Sequence, residues 1–141
     1  MGQVFLTYSL KDEKEAAGVR EELGRCGLDV WWDAELPPSA KWAYEVGRAL
    51  DRSSSMIVLV TPHAMESDLV RRELDHAITH ANFRFRIFPL ILHPTPNLPG
   101  FFSMLKVFDL TKNRERGLKA VAKAIQTRKE TRPARFDRAK R

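Results

Sequence analysis

MIVLVTP, residues 56–62, is a run of five apolar side chains stopped by a threonine and a proline. A run this short and rich in β-branched residues, closed by a turn signal, reads as a strand buried on both faces. Such strands belong to parallel sheets covered by helices above and below, so helices should flank it. Upstream, Trp42, Val46, Ala49 and Leu50 recur at helical spacing, and Ser53-Ser54-Ser55 is expected to break that helix. Downstream, Ser67 is placed to cap a helix running to about His80.

The pattern repeats toward both ends. VFLTYS (4–9) is a second short apolar run. Ser9 and Asp12 have capping-box spacing, and Ala16, Val19 and Leu23 continue a helix through Arg25, framed by Gly24 and Gly27. Leu28 to Trp32 reads as the next strand. The loop DAELPPSAKW (33–42) follows, stiffened by Pro37 and Pro38. Arg86 to Leu92 reads as strand four, where Pro89 suggests a bulge or an edge position. HPTPNLPG (93–100) is a rigid loop, Leu105 to Leu110 strand five, and 113–127 a last helix with Leu118, Val121, Ala122 and Ile125 facing inward. Alternating strands and helices with right-handed crossovers predict a flavodoxin-like, doubly wound α/β fold. Its five parallel strands should take the order 2-1-3-4-5.

At 141 residues and 43% hydrophobic, the chain suits one domain with one core. No apolar run nears the ~18 residues of a membrane span. The N-terminus MGQVFLTYSLKDE lacks the basic start and cleavage site of a leader. A single cysteine, Cys26, excludes an internal disulfide and fits a reducing compartment, so a cytoplasmic location is expected. The net charge of +6 is unevenly spread. Residues 127–141 carry seven Lys/Arg against two Asp/Glu, and the other 126 residues carry 17 against 16. The expected organisation is a domain over 1–126 and a basic, poorly ordered tail over 127–141. The tail has no interleaved aromatics, so nucleic-acid binding is not expected.

Open parallel sheets bind ligands beyond the carboxyl ends of their strands. Several chemistries are excluded there. Strand one ends Thr7-Tyr8-Ser9 and strand three ends Val60-Thr61, without the carboxylates of a phosphoacceptor. The loop SLKDE has no glycine for a flavin phosphate, and neither GxxxxGK[ST] nor GxGxxG occurs. Glu73, His76 and His80 share a helix side, but three ligands on one helix rarely close a tetrahedral site, and His76 should be solvated, so no metal is expected. At about 100° per residue, Glu73 lies about 85° from the middle of the stripe Val70, Leu74, Ala77 and Ala81. That boundary position is half buried, and burial would raise its pKa and ready it for catalysis. Pattern alone favours a plainer alternative, a salt-bridged exposed strip of Arg71, Arg72, Glu73 and Asp75.

VFLTYSLKDE (4–13), GLDVWWDAELPPSAKW (27–42), EVGRALDRSSSMIVLVTPHAMES (45–67), DLVRRELDHA (68–77) and FRIFPLIL (85–92) together resemble a TIR (Toll/interleukin-1 receptor homology) domain of bacterial type. The resemblance covers about residues 3–110. It implies the TIR fold, with a BB loop, roughly Asp33 to Trp42, through which many members assemble. It also implies cleavage of NAD+ as substrate at the nicotinamide–ribose bond, giving nicotinamide and ADP-ribose or a cyclic variant. The catalytic glutamate of the family's Trp-x-x-x-Glu pattern falls on Glu73, with Leu69 at the tryptophan position. The usual glycine after the loop prolines is replaced by Ser39 or Ala40. No separate cofactor is implied.

One carboxylate suffices for that chemistry. Nicotinamide leaves a cationic pyridinium as a neutral molecule and needs no acid, while a carboxylate steadies the oxocarbenium-like ribose or holds a ribose hydroxyl. Tyr8, Trp32 and Trp42 are candidates for stacking on adenine or nicotinamide; the alternative for each is a core or loop-packing aromatic, and for Trp32 the two readings weigh equally. Ser9 and Asp33 are candidates for ribose hydroxyls, Ser9 also for a simple helix cap. The alternative function is a non-catalytic TIR interaction module that self-associates, or binds other TIR domains, through the 33–42 loop.

Overall fold

In a computed structural model of the chain, residues 2–33, 41–79 and 86–127 are described. The strands are β1 (Gln3–Thr7), β2 (Val30–Trp31), β3 (Ser53–Val60), β4 (Ile87–Ile91) and β5 (Phe108–Asp109). The helices are α1 (Glu13–Arg25), α2 (Trp42–Arg52), α3 (Pro62–Met65), α4 (Asp68–Thr79) and α5 (Arg114–Thr127). Single 3-10 turns cover Leu10–Asp12 and Gly100–Met104. All pairings are parallel and the strand order is β2-β1-β3-β4-β5, as expected.

Side-chain alternation along the strands divides the core. Val4, Leu6, Ile57, Leu59, Phe88 and Leu90 pack beneath α1 and α5. Phe5, Met56, Val58, Val60 and Ile87 pack against α2, α3 and α4 through Val46, Leu50, Val70 and Leu74. This parity fixes the end of β1: Thr7 lies on the α4 side and Tyr8 on the α1 side.

Several expected boundaries move. Ser53 does end α2, as its C-cap, but it also begins β3, which is therefore three residues longer at its start than MIVLV. Its hydroxyl donates to the Ala49 carbonyl at 2.7 Å, so the serine is satisfied while buried. The two edge strands shrink to two paired residues each, with one further backbone bond beside each pair, from the Val4 N–H to the Asp29 carbonyl and from the Leu110 N–H to the Ile91 carbonyl. Beyond the strand end that Thr61-Pro62 marks in the sequence, the chain forms α3; Thr61 caps it by accepting from the Ala64 N–H at 3.0 Å, with Pro62 at its first position.

Pro89 corrects the expectation of a bulge or edge, since β4 is interior and its register with β3 is continuous. The Met56 N–H donates to the Arg86 carbonyl and the Leu92 N–H to the Val60 carbonyl. Even-numbered β4 residues thus bond β3, and Pro89 turns its missing donor toward β5, whose first pair is Phe108 with Leu90. The ladder irregularity lies instead in the β1–β3 pairing, between Gln3 and Val4. At the end of α1, Gly27 takes φ +95. Its N–H reaches the Gly24 carbonyl and the Leu28 N–H the Leu23 carbonyl, the Schellman closure that turns the chain into β2.

Candidate active site

The carboxyl ends of β1 and β2, the start of α1 and the first half of α4 meet at one edge. Ser67 caps α4 by accepting from the Val70 N–H at 3.1 Å. From there Val70, Leu74 and Ala77 are drawn into the core, and Glu73 goes in with them at 5% exposure. The half-buried position expected from the helical wheel is therefore corrected to a buried one. The wheel counts angles only, whereas α4 lies close enough to β1 for Thr7 to cover the glutamate. Of the alternative strip, Arg71 forms an exposed pair with Asp68 at 3.1 Å, and Glu73 is not part of it.

The Thr7 hydroxyl donates to Oε1 of Glu73 at 2.5 Å. Burial pushes the Glu73 carboxyl up to about 8; the Thr7 hydrogen bond opposes this and the negative charge of Asp33 adds to it. On the other side of the sheet, Tyr8 donates its hydroxyl to Oδ1 of Asp33 at 2.8 Å. Burial first, then this bond to Asp33, hold the Tyr8 phenol far above its ordinary range. The Tyr8 and Trp32 rings are tilted against each other at 5.6 Å, and the Arg20 guanidinium lies over Trp32 at 5.4 Å. Trp31 goes to the opposite face and stacks on Phe5 at 5.2 Å.

Tyr8, Trp32 and Asp33 are thus gathered on the α1 side of the strand ends, while Glu73 lies on the α4 side with Thr7, where the charge of Asp33 still reaches it. Leu69, partly buried, stands one turn before Glu73 on α4. Ser9 serves as a cap, accepting from the Lys11 N–H at 3.2 Å. The reciprocal half of a capping box is not made, because Asp12 is buried and accepts instead from the Thr61 hydroxyl at 2.5 Å. Trp42 opens α2, and its side chain, like residues 34–40 of the loop, lies outside the described residues. His76 is not fully solvated: its Nε2 is 3.5 Å from Oδ1 of Asp51 on α2. His80 lies outside the described residues. Among the described residues no group of three or more His, Cys, Asp or Glu could hold a metal ion.

Sequence reasoning passed over Thr7. The signal was present, since it is the one aliphatic hydroxyl in VFLTY and has the parity of Phe5. A groove of about 200 Å³ between α3, α4 and the Gly100 turn is lined by Met65, Val70, Leu74 and Phe101. Ser67, Arg71 and Asp75 line it as well, and Glu73 does not.

The fold and this edge define a doubly wound α/β domain with a buried carboxylic acid at its switch-point rim. The family model for the TIR domain matches residues 4–125, and the chain belongs to the TIR domain family. Among solved structures it is similar to the TIR domain of the Toll-related Receptor TRR-2 from Hydra magnipapillata, with a TM-score of 0.74 at 18% identity. That match covers 89% of this chain and 99% of the Hydra chain. It is also similar to the SEFIR domain of IL-17 receptor B, with a TM-score of 0.59 at 14% identity, over 89% and 97% of the two chains. Both likenesses concern the fold. A search of curated proteins finds no match. Among the described residues no helix is long and apolar enough to cross a membrane.

Proposed function

We propose that this TIR domain hydrolyses NAD+ at its nicotinamide–ribose bond, with Glu73 as the catalytic residue. The supporting observation is the buried Glu73 carboxyl, bonded to Thr7 at the end of β1 and within electrostatic reach of Asp33. A carboxyl pushed up to about 8 is mostly uncharged at neutral pH. A pyridinium cation beside it favours the carboxylate, so substrate binding expels the proton. The C1′–N bond then breaks with its electron pair leaving on nicotinamide. Positive charge develops on the ribose, where Glu73 steadies it. Water bonds to C1′ and loses a proton, so NAD+ and water give ADP-ribose, nicotinamide and H+. Internal capture by the adenine ring would give the cyclic variant. The proposal extends to immune or cell-death signalling by a cytoplasmic protein that is switched on by assembly.

The test is nicotinamide release from NAD+ by the purified chain at several protein concentrations. Release that rises with concentration and is abolished in Glu73→Gln is expected. Equal release by both proteins, or none at any concentration, overturns the proposal.

A second reading, an interaction module that self-associates through the 33–42 loop without turnover, has its own observation. Tyr44, just after the loop, and Leu10, at the same edge, are large apolar residues at 61% and 62% exposure. Concentration-dependent light scattering that Pro37→Ala suppresses, together with no NAD+ cleavage, is its signature.

A further inference from the structure

Two threonine–carboxylate bonds of 2.5 Å stand at the ends of the neighbouring central strands, and they differ in kind. After β3, the Thr61 hydroxyl donates to Asp12 and also accepts from the Ala64 N–H, so it caps α3 and ties two loops together. After β1, Thr7 caps nothing; among the described residues the partner of its hydroxyl is Glu73. Every other residue of β1 from Val4 onward is a buried apolar side chain, and a valine would fill the Thr7 position with the same shape. A hydroxyl buried there is costly unless it is bonded. The next residue, Tyr8, reaches across the opposite face to Asp33. The end of β1 therefore tethers two carboxylates from two different elements.

We propose that Thr7 is the positioning residue of this site: its hydroxyl pins Oε1 of Glu73, fixes the plane of the carboxyl group and leaves the other oxygen for the ligand. The inference deepens the NAD+ reading and rests on it where turnover is concerned. The orienting bond itself does not depend on it. Thr7 also favours the carboxylate over the acid, since its bond acts against the burial of Glu73.

The test compares the full chain with Thr7→Val, which keeps the shape and removes the donor, and Thr7→Ser, which keeps the donor. Loss of orientation should lower kcat in Thr7→Val by about tenfold to a hundredfold while KM stays within about twofold, and Thr7→Ser should restore most of it. The second readout is the ¹³C titration of the Glu73 carboxyl carbon, assigned by its absence in Glu73→Gln. Its midpoint should move upward in Thr7→Val and return in Thr7→Ser. A Thr7→Val protein with unchanged kcat and an unmoved midpoint overturns the proposal. If the unaltered chain does not cleave NAD+, the activity reading falls alone, and the titration still decides the role of Thr7. Should Thr7→Val not fold, Thr7→Ala carries the same two measurements.

Discussion

At the scale of single residues, Glu73 is an acid held where water cannot solvate its charge. In the folded chain its pKa is raised from 4.5 to about 8. Between those values the folded state keeps a proton that the unfolded state has lost. Stability therefore falls as pH rises through that window, and the loss is complete above it. Glu73→Gln cannot ionise, so it should melt within about 2 °C of the unaltered protein at pH 5 and roughly 5–15 °C above it at pH 9. Thermal unfolding by circular dichroism at the two pH values checks this; a constant gap would mean that Glu73 is solvated. The same group gives the sign of the rate profile. If the carboxylate is the active form, kcat/KM for NAD+ rises about tenfold per pH unit below the free-enzyme midpoint and levels off above about 8. A profile that falls over that range would make Glu73 a proton donor instead.

At the scale of elements, specific groups take over the backbone bonds at particular helix ends, and these ends aim the site. Ser67 starts α4 so that Glu73 arrives under Thr7 in the second turn. Gly27 ends α1 and sends the chain directly into β2, whose end supplies Trp32 and Asp33. A side chain at φ +95 is strained whatever space surrounds it, and the nearest atom to an added Cβ is Nε2 of Gln126 at 3.4 Å. Gly27→Ala should therefore cost about 1–2 kcal/mol. Urea unfolding should show a lower midpoint at unchanged slope. Gly24→Ala is the control: nothing lies within 4 Å of its added Cβ and its φ is ordinary, so it should be neutral or stabilising.

At the scale of the whole molecule, the sheet order followed from strand–helix alternation and the size of the chain. Both are global regularities, and local exceptions such as Pro89 do not disturb them. What stayed hidden depended on distances between elements. Helical periodicity carries the angle of Glu73 but not how close α4 approaches β1, so its burial and its bond to Thr7 were out of reach. The Ser9–Asp12 spacing likewise points to a capping box and not to the real partner of Asp12, because Thr61 lies 49 residues away. The charge distribution was fully readable, and it leads to a test. The family match ends at residue 125, and α5 completes the core through Leu118, Val121, Ala122 and Ile125. A chain ending at Thr127 retains all of these and loses seven basic and two acidic residues, which takes its net charge from +6 to +1. It should melt within about 2 °C of the full chain. Its retention on a polyanionic resin at low salt should largely disappear, because that retention scales with exposed positive charge and is screened within about 10 Å at 0.1 M salt. A truncated protein that melts more than about 5 °C lower would show that the last 14 residues pack against the domain. Unchanged retention would place the basic surface on the domain itself, where acidic and basic residues otherwise balance.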